Sequence, residues 1–191
     1  MHSNWRAIAF CSFLVNVGFG QTAPPSAAQL EAFENYVGKP TARITWSKET
    51  GRIDTDQAHA VITAIVVQDA VQAPHQMRGI RIDLTAGNVK DRVYASEEFI
   101  PRLITALDGM SNSMPQSFNQ SSARASANHC FGSETFWLQE GHAFSASQCV
   151  FGDWRGLSVN TGRSSLFRFT AIDSSPFAAA IARARDELKQ R

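Results

Sequence analysis

An excess of charge of either sign is missing from this sequence. Its 18 Lys and Arg stand against 17 Asp and Glu, a formal net charge of +1 at pH 7. Taking away residues 1–20, read below as a cleaved leader, removes Arg6 and no acid, so 17 charges of each sign remain. Such a balance excludes the basic surface that holds nucleic acid or other polyanions through bulk electrostatics. No apolar run approaches the ~20 residues a membrane-crossing helix needs, so no transmembrane segment is expected in the mature chain. Catalytic motifs are missing as well. There is no Gly-x-Ser-x-Gly elbow, no His-Glu-x-x-His, no phosphate-cradling glycine loop and no dinucleotide fingerprint. No metal and no cofactor is expected.

Cysteine is scarce, and its placement is informative. Cys11 lies within an apolar stretch, Ala7 to Val15, that follows Arg6 and precedes the small-residue exit Gly18-Phe19-Gly20. A basic start, a short apolar core and a small-residue exit form the pattern of a secretory signal peptide. Cleavage after Gly20 fits best, and after Ala23 second best. The alternatives are an N-terminal anchor, for which the run is short, and lipidation at Cys11, which the bulky Phe10 before it disfavours. Export to the periplasm or the medium is the expectation. Two cysteines then remain, Cys130 and Cys149. An exported chain with an even number of thiols most often pairs them; the alternative, a metal or redox pair, calls for a Cys-x-x-Cys spacing that these two lack. Their midpoint falls beside the turn Gln139-Glu140-Gly141, so a disulfide across a hairpin is expected.

The mature part, residues 21–191, has the length of one domain with a substantial core. Its first half runs from about 26 to 110. Ser26 and Gln29 have the spacing of a capping box, Leu30, Phe33 and Val37 share a helical face, and Gly38 and Pro40 close the helix. Strands follow at Thr41–Ser47, with Ile44 and Trp46 on one face, and at Ala58–Val67, apolar on both faces and so covered on both. Arg78–Leu84 alternates, with Ile80, Ile82 and Leu84 inward and Arg81 and Asp83 outward. A turn at Thr85-Ala86-Gly87-Asn88 leads into Val89–Tyr94. That register would oppose Leu84 to Val89 and Asp83 to Lys90, and would turn Asp91 inward beside Ile82 unless a bulge or an exposed rim relieves it. Residues 96–109 read as a helix with Phe99, Leu103 and Leu107 on its stripe. Pro101 is tolerated only in a first turn, so the regular helix is expected to start later than Ser96.

Residues 111–128 are rich in Ser, Asn, Gln and Ala, with Arg124 as their one charge, and read as a loop or linker. The second half, about 129–191, carries strands at Phe131–Leu138, Ala143–Phe151, Trp154–Thr161 and Leu166–Ile172. Ser175 and Pro176 then start a helix whose stripe is Phe177, Ile181, Ala184 and Leu188. The two halves read alike. Arg78-Gly79-Ile80 and Arg155-Gly156-Leu157 each open a strand, a strand returns, and a helical stripe begins at Phe99 or Phe177. The expected fold is α+β: an N-terminal helix and two antiparallel four-stranded units, each followed by a helix, read as a duplication. A single curved sheet with its helices on one face, each helix folded back over its own hairpin, would bury every stripe.

Candidate functional residues are scattered. Asp54-Thr55-Asp56 starts like a calcium loop but lacks the third acid, the glycine and the distal glutamate, so a solvated turn is the simpler reading. Glu97 and Glu98 read as helix-dipole partners. His142 follows a turn, and His129 adjoins Cys130, which a disulfide would disarm as a nucleophile. The second half is rich in aromatics: Phe131, Phe136, Trp137, Phe144, Phe151, Trp154, Phe167, Phe169 and Phe177. Alternation sends some of them to each face. The expectation is that both faces are covered, by helices on one and by the other half or a partner on the second; the alternative is an exposed aromatic row that binds something. The expectation from sequence is a non-catalytic exported binding protein, acting on another envelope protein or a small apolar ligand. The alternative is a small exported hydrolase assembled from residues such as Asp91, His59 and His129.

Overall fold

The computed structural model describes residues 32–71, 75–112, 129–139, 142–162 and 165–191. The leader, Ser26 to Leu30 and most of the 111–128 segment lie outside these residues. The elements run α1 Ala32–Val37, β1 Ala42–Asp54, β2 His59–Asp69, β3 Gln76–Ala86 and β4 Val89–Ser96. A 3-10 turn Glu97–Phe99 leads into α2 Ile100–Asn112, followed by β5 His129–Gln139, β6 His142–Phe151, β7 Trp154–Asn160, β8 Leu166–Thr170 and α3 Ser175–Leu188. Strands β1 to β4 form sheet A and β5 to β8 form sheet B, each antiparallel and in sequence order. This is the α+β arrangement expected from the sequence: four strands and a helix, twice, behind an N-terminal helix.

Two sheets replace the expected single curved one. Their inner faces share one core with α2 and α3, containing Ile62, Ile80, Ile82 and Leu84 from sheet A and Phe144, Leu157, Val159, Phe167 and Phe169 from sheet B. Each fully buried large side chain contributes about 1.5–3 kcal/mol. The remaining helix lies elsewhere. α1 sets Phe33 and Tyr36 on the outer face of sheet A, over Ile65 and Val67, with Met77 and Tyr94 packed alongside. β2 is therefore covered on both faces, as its unbroken apolar run requires.

The helices are exchanged between the halves. α3 follows sheet B but packs on β1, β2 and β3 of sheet A, while α2 follows sheet A but packs on β5 and β6 of sheet B. The expectation that each helix covers the hairpin it has just left is thus overturned. The physical reason is occupancy. β8 lies against β3, so the two hairpins β3–β4 and β7–β8 cover each other, and each helix moves on to the first two strands of the other half. Polar contacts fix α3 there. Lys48 Nζ lies 2.6 Å from Glu187 Oε1, Arg183 Nε donates to the Thr50 carbonyl at 2.7 Å, and Arg78 Nη1 donates to the Leu188 carbonyl at 3.2 Å. The two helices also pack on each other, and buried Ser174, just before α3, donates to the Leu107 carbonyl at 2.5 Å.

Several local expectations need correction. β1 extends to Asp54, and a bulge between Ile44 and Trp46 sends these residues to opposite faces: Ile44 opposes Val67 and Trp46 opposes Val66. The β3–β4 turn is the pair Gly87-Asn88, with Gly87 at φ +56°. A two-residue hairpin turn asks for this left-handed backbone. It shifts the register by two residues, so Ala86 opposes Val89, Leu84 opposes Asp91, and Asp83 meets Arg92 rather than Lys90. Pro101 falls in the first turn of α2, whose buried stripe is Ile100, Leu103, Leu107 and Met110, with Phe99 only partly buried beside it. The position before α3 is Ser174 rather than the expected Ser175; its hydroxyl makes no cap bond, and Asp173 accepts the Ser175 amide at 2.9 Å instead.

The repeated Arg-Gly pairs occupy equivalent positions, with Gly79 opposing Ser96 and Gly156 opposing Thr170. Their glycines answer the same crowding. A Cβ on Gly79 would strike the Ala95 carbonyl oxygen and one on Gly156 the Phe169 carbonyl oxygen, each on the residue before the glycine's partner. At Gly79 the Phe33 ring of α1 adds a second contact at 2.5 Å.

Candidate functional site

The outer face of sheet B presents a different surface from that of sheet A. Across β5, β6, β7 and β8 its register aligns Ser133, Ser147, Ser158 and Arg168, and beside them Cys130, Cys149, Gly156 and Thr170. Ser133 and Ser147 are hydrogen-bonded through their hydroxyls at 2.8 Å. No described helix lies on this face. At its end the two-residue turn Gly152-Asp153 puts Phe151 opposite Trp154, and their rings stack at 5.7 Å with 18° between planes. The Arg168 guanidinium lies over the Trp154 ring at 5.6 Å, and Trp154 Nε1 donates to Thr170 Oγ1 at 3.2 Å. Phe151, Trp154 and Arg168 thereby form one stacked row over three strands. Phe151 is 37% exposed and Arg168 is exposed.

Cys130 and Cys149 face each other across β5 and β6 with their sulfurs 2.01 Å apart, a disulfide distance. Cys149 is buried and Cys130 exposed, so the pair forms part of the floor beside the aromatic row. The cross-hairpin placement expected from the sequence is what the register gives. The paired thiols are compatible with a non-cytoplasmic location. No described helix is long and apolar enough to cross a membrane.

The residues named for a hydrolase do not converge. His59 and Asp91 lie at the same end of sheet A but on opposite faces, because Asp91 opposes the inward Leu84 while His59 opposes Thr85. His59 Nδ1 is 2.9 Å from Asp54 Oδ1, with both side chains more than half exposed, an ordinary surface pair at a hairpin end. Asp91 does turn inward, without a bulge, near the half-open hairpin end of sheet A. It is half-buried, and its carboxylate accepts from the buried Thr161 hydroxyl of sheet B and from the Arg92 amide. This contact ties the two sheets together. His129 opposes Val150 at the other end of sheet B from Thr161, so its backbone is remote from Asp91. The side chains of His129, His142, Phe131, Phe136 and Trp137 lie outside the described set.

Other candidates have structural partners. Thr55 closes the turn after Asp54 through the Ala58 backbone, and no group of three or more His, Cys, Asp or Glu gathers as a metal site among the described residues. Glu97 pairs with Arg78 at 3.1 Å, and Glu98 accepts from Ser96 at 3.3 Å. On the outer face of sheet A, Asp83 sits between Arg92 and Arg81 at 2.5 and 2.7 Å. That carboxylate holds the Arg92 guanidinium above its ordinary pKa.

Sequence reading named Phe151 and Trp154 among many aromatics but missed their pairing, and it missed Arg168. Both signals were present. Gly152-Asp153 is a two-residue hairpin turn, and the alternation Phe167-Arg168-Phe169 turns arginine out where the phenylalanines turn in. No protein-family model matches the chain, and no curated protein matches it in sequence.

Proposed function

We propose that this is an exported, non-catalytic binding protein that acts on another protein of the envelope or extracellular space through the outer face of sheet B. The observation that carries this reading is the stacked row Phe151, Trp154 and Arg168 on a sheet face that no described helix covers. Aromatic and arginine side chains dominate binding energetics at protein interfaces, and here they are gathered at one end of a surface of small hydroxyl side chains. The signal-like residues 1–20 and the Cys130–Cys149 pair support export to the periplasm or medium.

The test has two readouts in an exporting bacterial host. Intact mass of the recovered protein should begin at Gln21; soluble exported protein that retains residues 1–20 removes the leader from the reading. A photo-crosslinking residue placed at Ser158, on the proposed face, should give a discrete protein adduct, and the same residue at Asp108 on the exposed side of α2 should not. Absence of any adduct from Ser158 in the exported protein overturns the binding role of this face.

A further inference from the structure

The two sheets carry equivalent outer platforms, and only one of them is occupied by a described element. In sheet A the platform is Ile65, Val67, Met77 and Tyr94, and α1 docks on it with Phe33 and Tyr36. The register identifies the counterparts in sheet B. Gly79 opposes Ile65, and its equivalent Gly156 opposes Cys149. Two residues further along the same strands, Val67 opposes Met77, and Phe151 opposes Trp154. On the last strand of each half, Tyr94 lies two residues before the partner of Gly79, and Arg168 two residues before the partner of Gly156. Every member of the docked platform therefore has a counterpart: Cys149, Phe151, Trp154 and Arg168.

We propose that the Cys149, Phe151, Trp154 and Arg168 platform docks a short helical segment of a partner protein that carries an aromatic side chain and a carboxylate. The inference rests on the binding role given above and specifies the partner's chemistry. The helical form follows from the occupant of the equivalent platform. The described turns of α1, Ala32–Val37, hold through two aromatic anchors. The aromatic requirement follows from Phe151, whose ring is stacked on Trp154 and 37% exposed. An incoming ring extends the stack by the offset or edge contacts such pairs favour, as Phe33 meets Tyr94 edge-on at 6.4 Å in sheet A. The carboxylate follows from the one change of chemical type between the platforms. Where sheet A has Tyr94, sheet B has exposed Arg168, which lies over Trp154 and has no carboxylate partner among the described residues. A guanidinium already held flat on an indole is a prepared partner for a carboxylate.

The probe is a phage-displayed library of random 12-residue peptides, selected against the oxidised full-length protein. The expected result is enrichment of peptides that combine an aromatic residue with at least one Asp or Glu. Their affinity should fall by about tenfold or more in Arg168→Glu and in Phe151→Ser. Arg168→Glu alters an exposed side chain alone, so it remains decisive should Phe151→Ser fold poorly; equal melting temperatures confirm that each variant is intact. Failure to enrich peptides, enrichment without acidic residues, or affinity unchanged by Arg168→Glu overturns the inference. So does binding of oligosaccharides titrated in parallel when no peptide binds. Crosslinking from Ser158 in the exporting host tests the binding role separately, so an adduct there beside an empty selection locates the failure in the peptide chemistry alone.

Discussion

Gly51 of β1 lies so close beneath Ala180 of α3 that a Cβ added to it would stand 2.4 Å from the Ala180 Cβ. The two residues belong to different halves of the chain, and their contact marks where the helix of the second half seats on the sheet of the first. Thr50 reinforces the seat by donating its hydroxyl to the Ala180 carbonyl at 3.1 Å.

Gly51→Ala should lift α3 off β1. Overpacking of this kind costs about 1–3 kcal/mol, read as a lowered urea midpoint. Gly109→Ala is the matched control, because Gly109 lies exposed in α2 with nothing within 4 Å of an added Cβ. It should raise stability by about 0.5–1 kcal/mol through helix propensity. Equal effects of the two substitutions would contradict the close seat.

The exchange of helices implies that neither half completes a core alone. Residues 21–112 and 129–191, produced separately, should each show poor amide dispersion by NMR. Mixed, they should recover the dispersed spectrum of the whole chain. A cooperatively folded half on its own would show that the exchanged helix is dispensable.

Free-thiol titration of the denatured, unreduced protein should find neither Cys130 nor Cys149 reactive. Their sequence separation is 19, and closing a loop of that size stabilises by about 3 kcal/mol in the chain-entropy model. The double variant Cys130→Ser with Cys149→Ser should lose a comparable amount in denaturant titration. Two reactive thiols per mature chain would refute the bridge.

Asp69 is buried, and its pKa lies below the ordinary carboxylate value, first because the Val71 amide donates to it and then because the Thr41 hydroxyl and Lys39 face it. A carboxyl depressed in the folded state adds stability above its unfolded pKa and loses it as pH falls through the folded one. Asp69→Asn should therefore be less stable than the parent at neutral pH and show a shallower loss on acidification. Parallel stability-against-pH curves for the two proteins would exclude this role.

Some of the fold was fixed along the chain. The alternation of Ile80, Ile82 and Leu84, the two-sided apolarity of β2 and the late start of the helix, with Pro101 in its first turn, depend on neighbours a few residues away, and the cysteine pair follows from its symmetry about a single hairpin turn. The binding face was half legible. The Gly152-Asp153 turn and the outward Arg168 could be read locally, but that no described helix covers the face could not. What only the tertiary structure decided depends on competition between distant segments. The inner hairpin faces could be covered by their own helices or by each other, and burial of apolar area favours either without direction. Packing of β8 on β3 settles it and sends each helix to the other half's first two strands. The same competition leaves Asp91 facing Thr161 instead of a histidine. A bulge at Thr45 turns Ile44 and Trp46 to opposite faces, because one inserted residue reverses a period-two pattern while leaving no mark in composition.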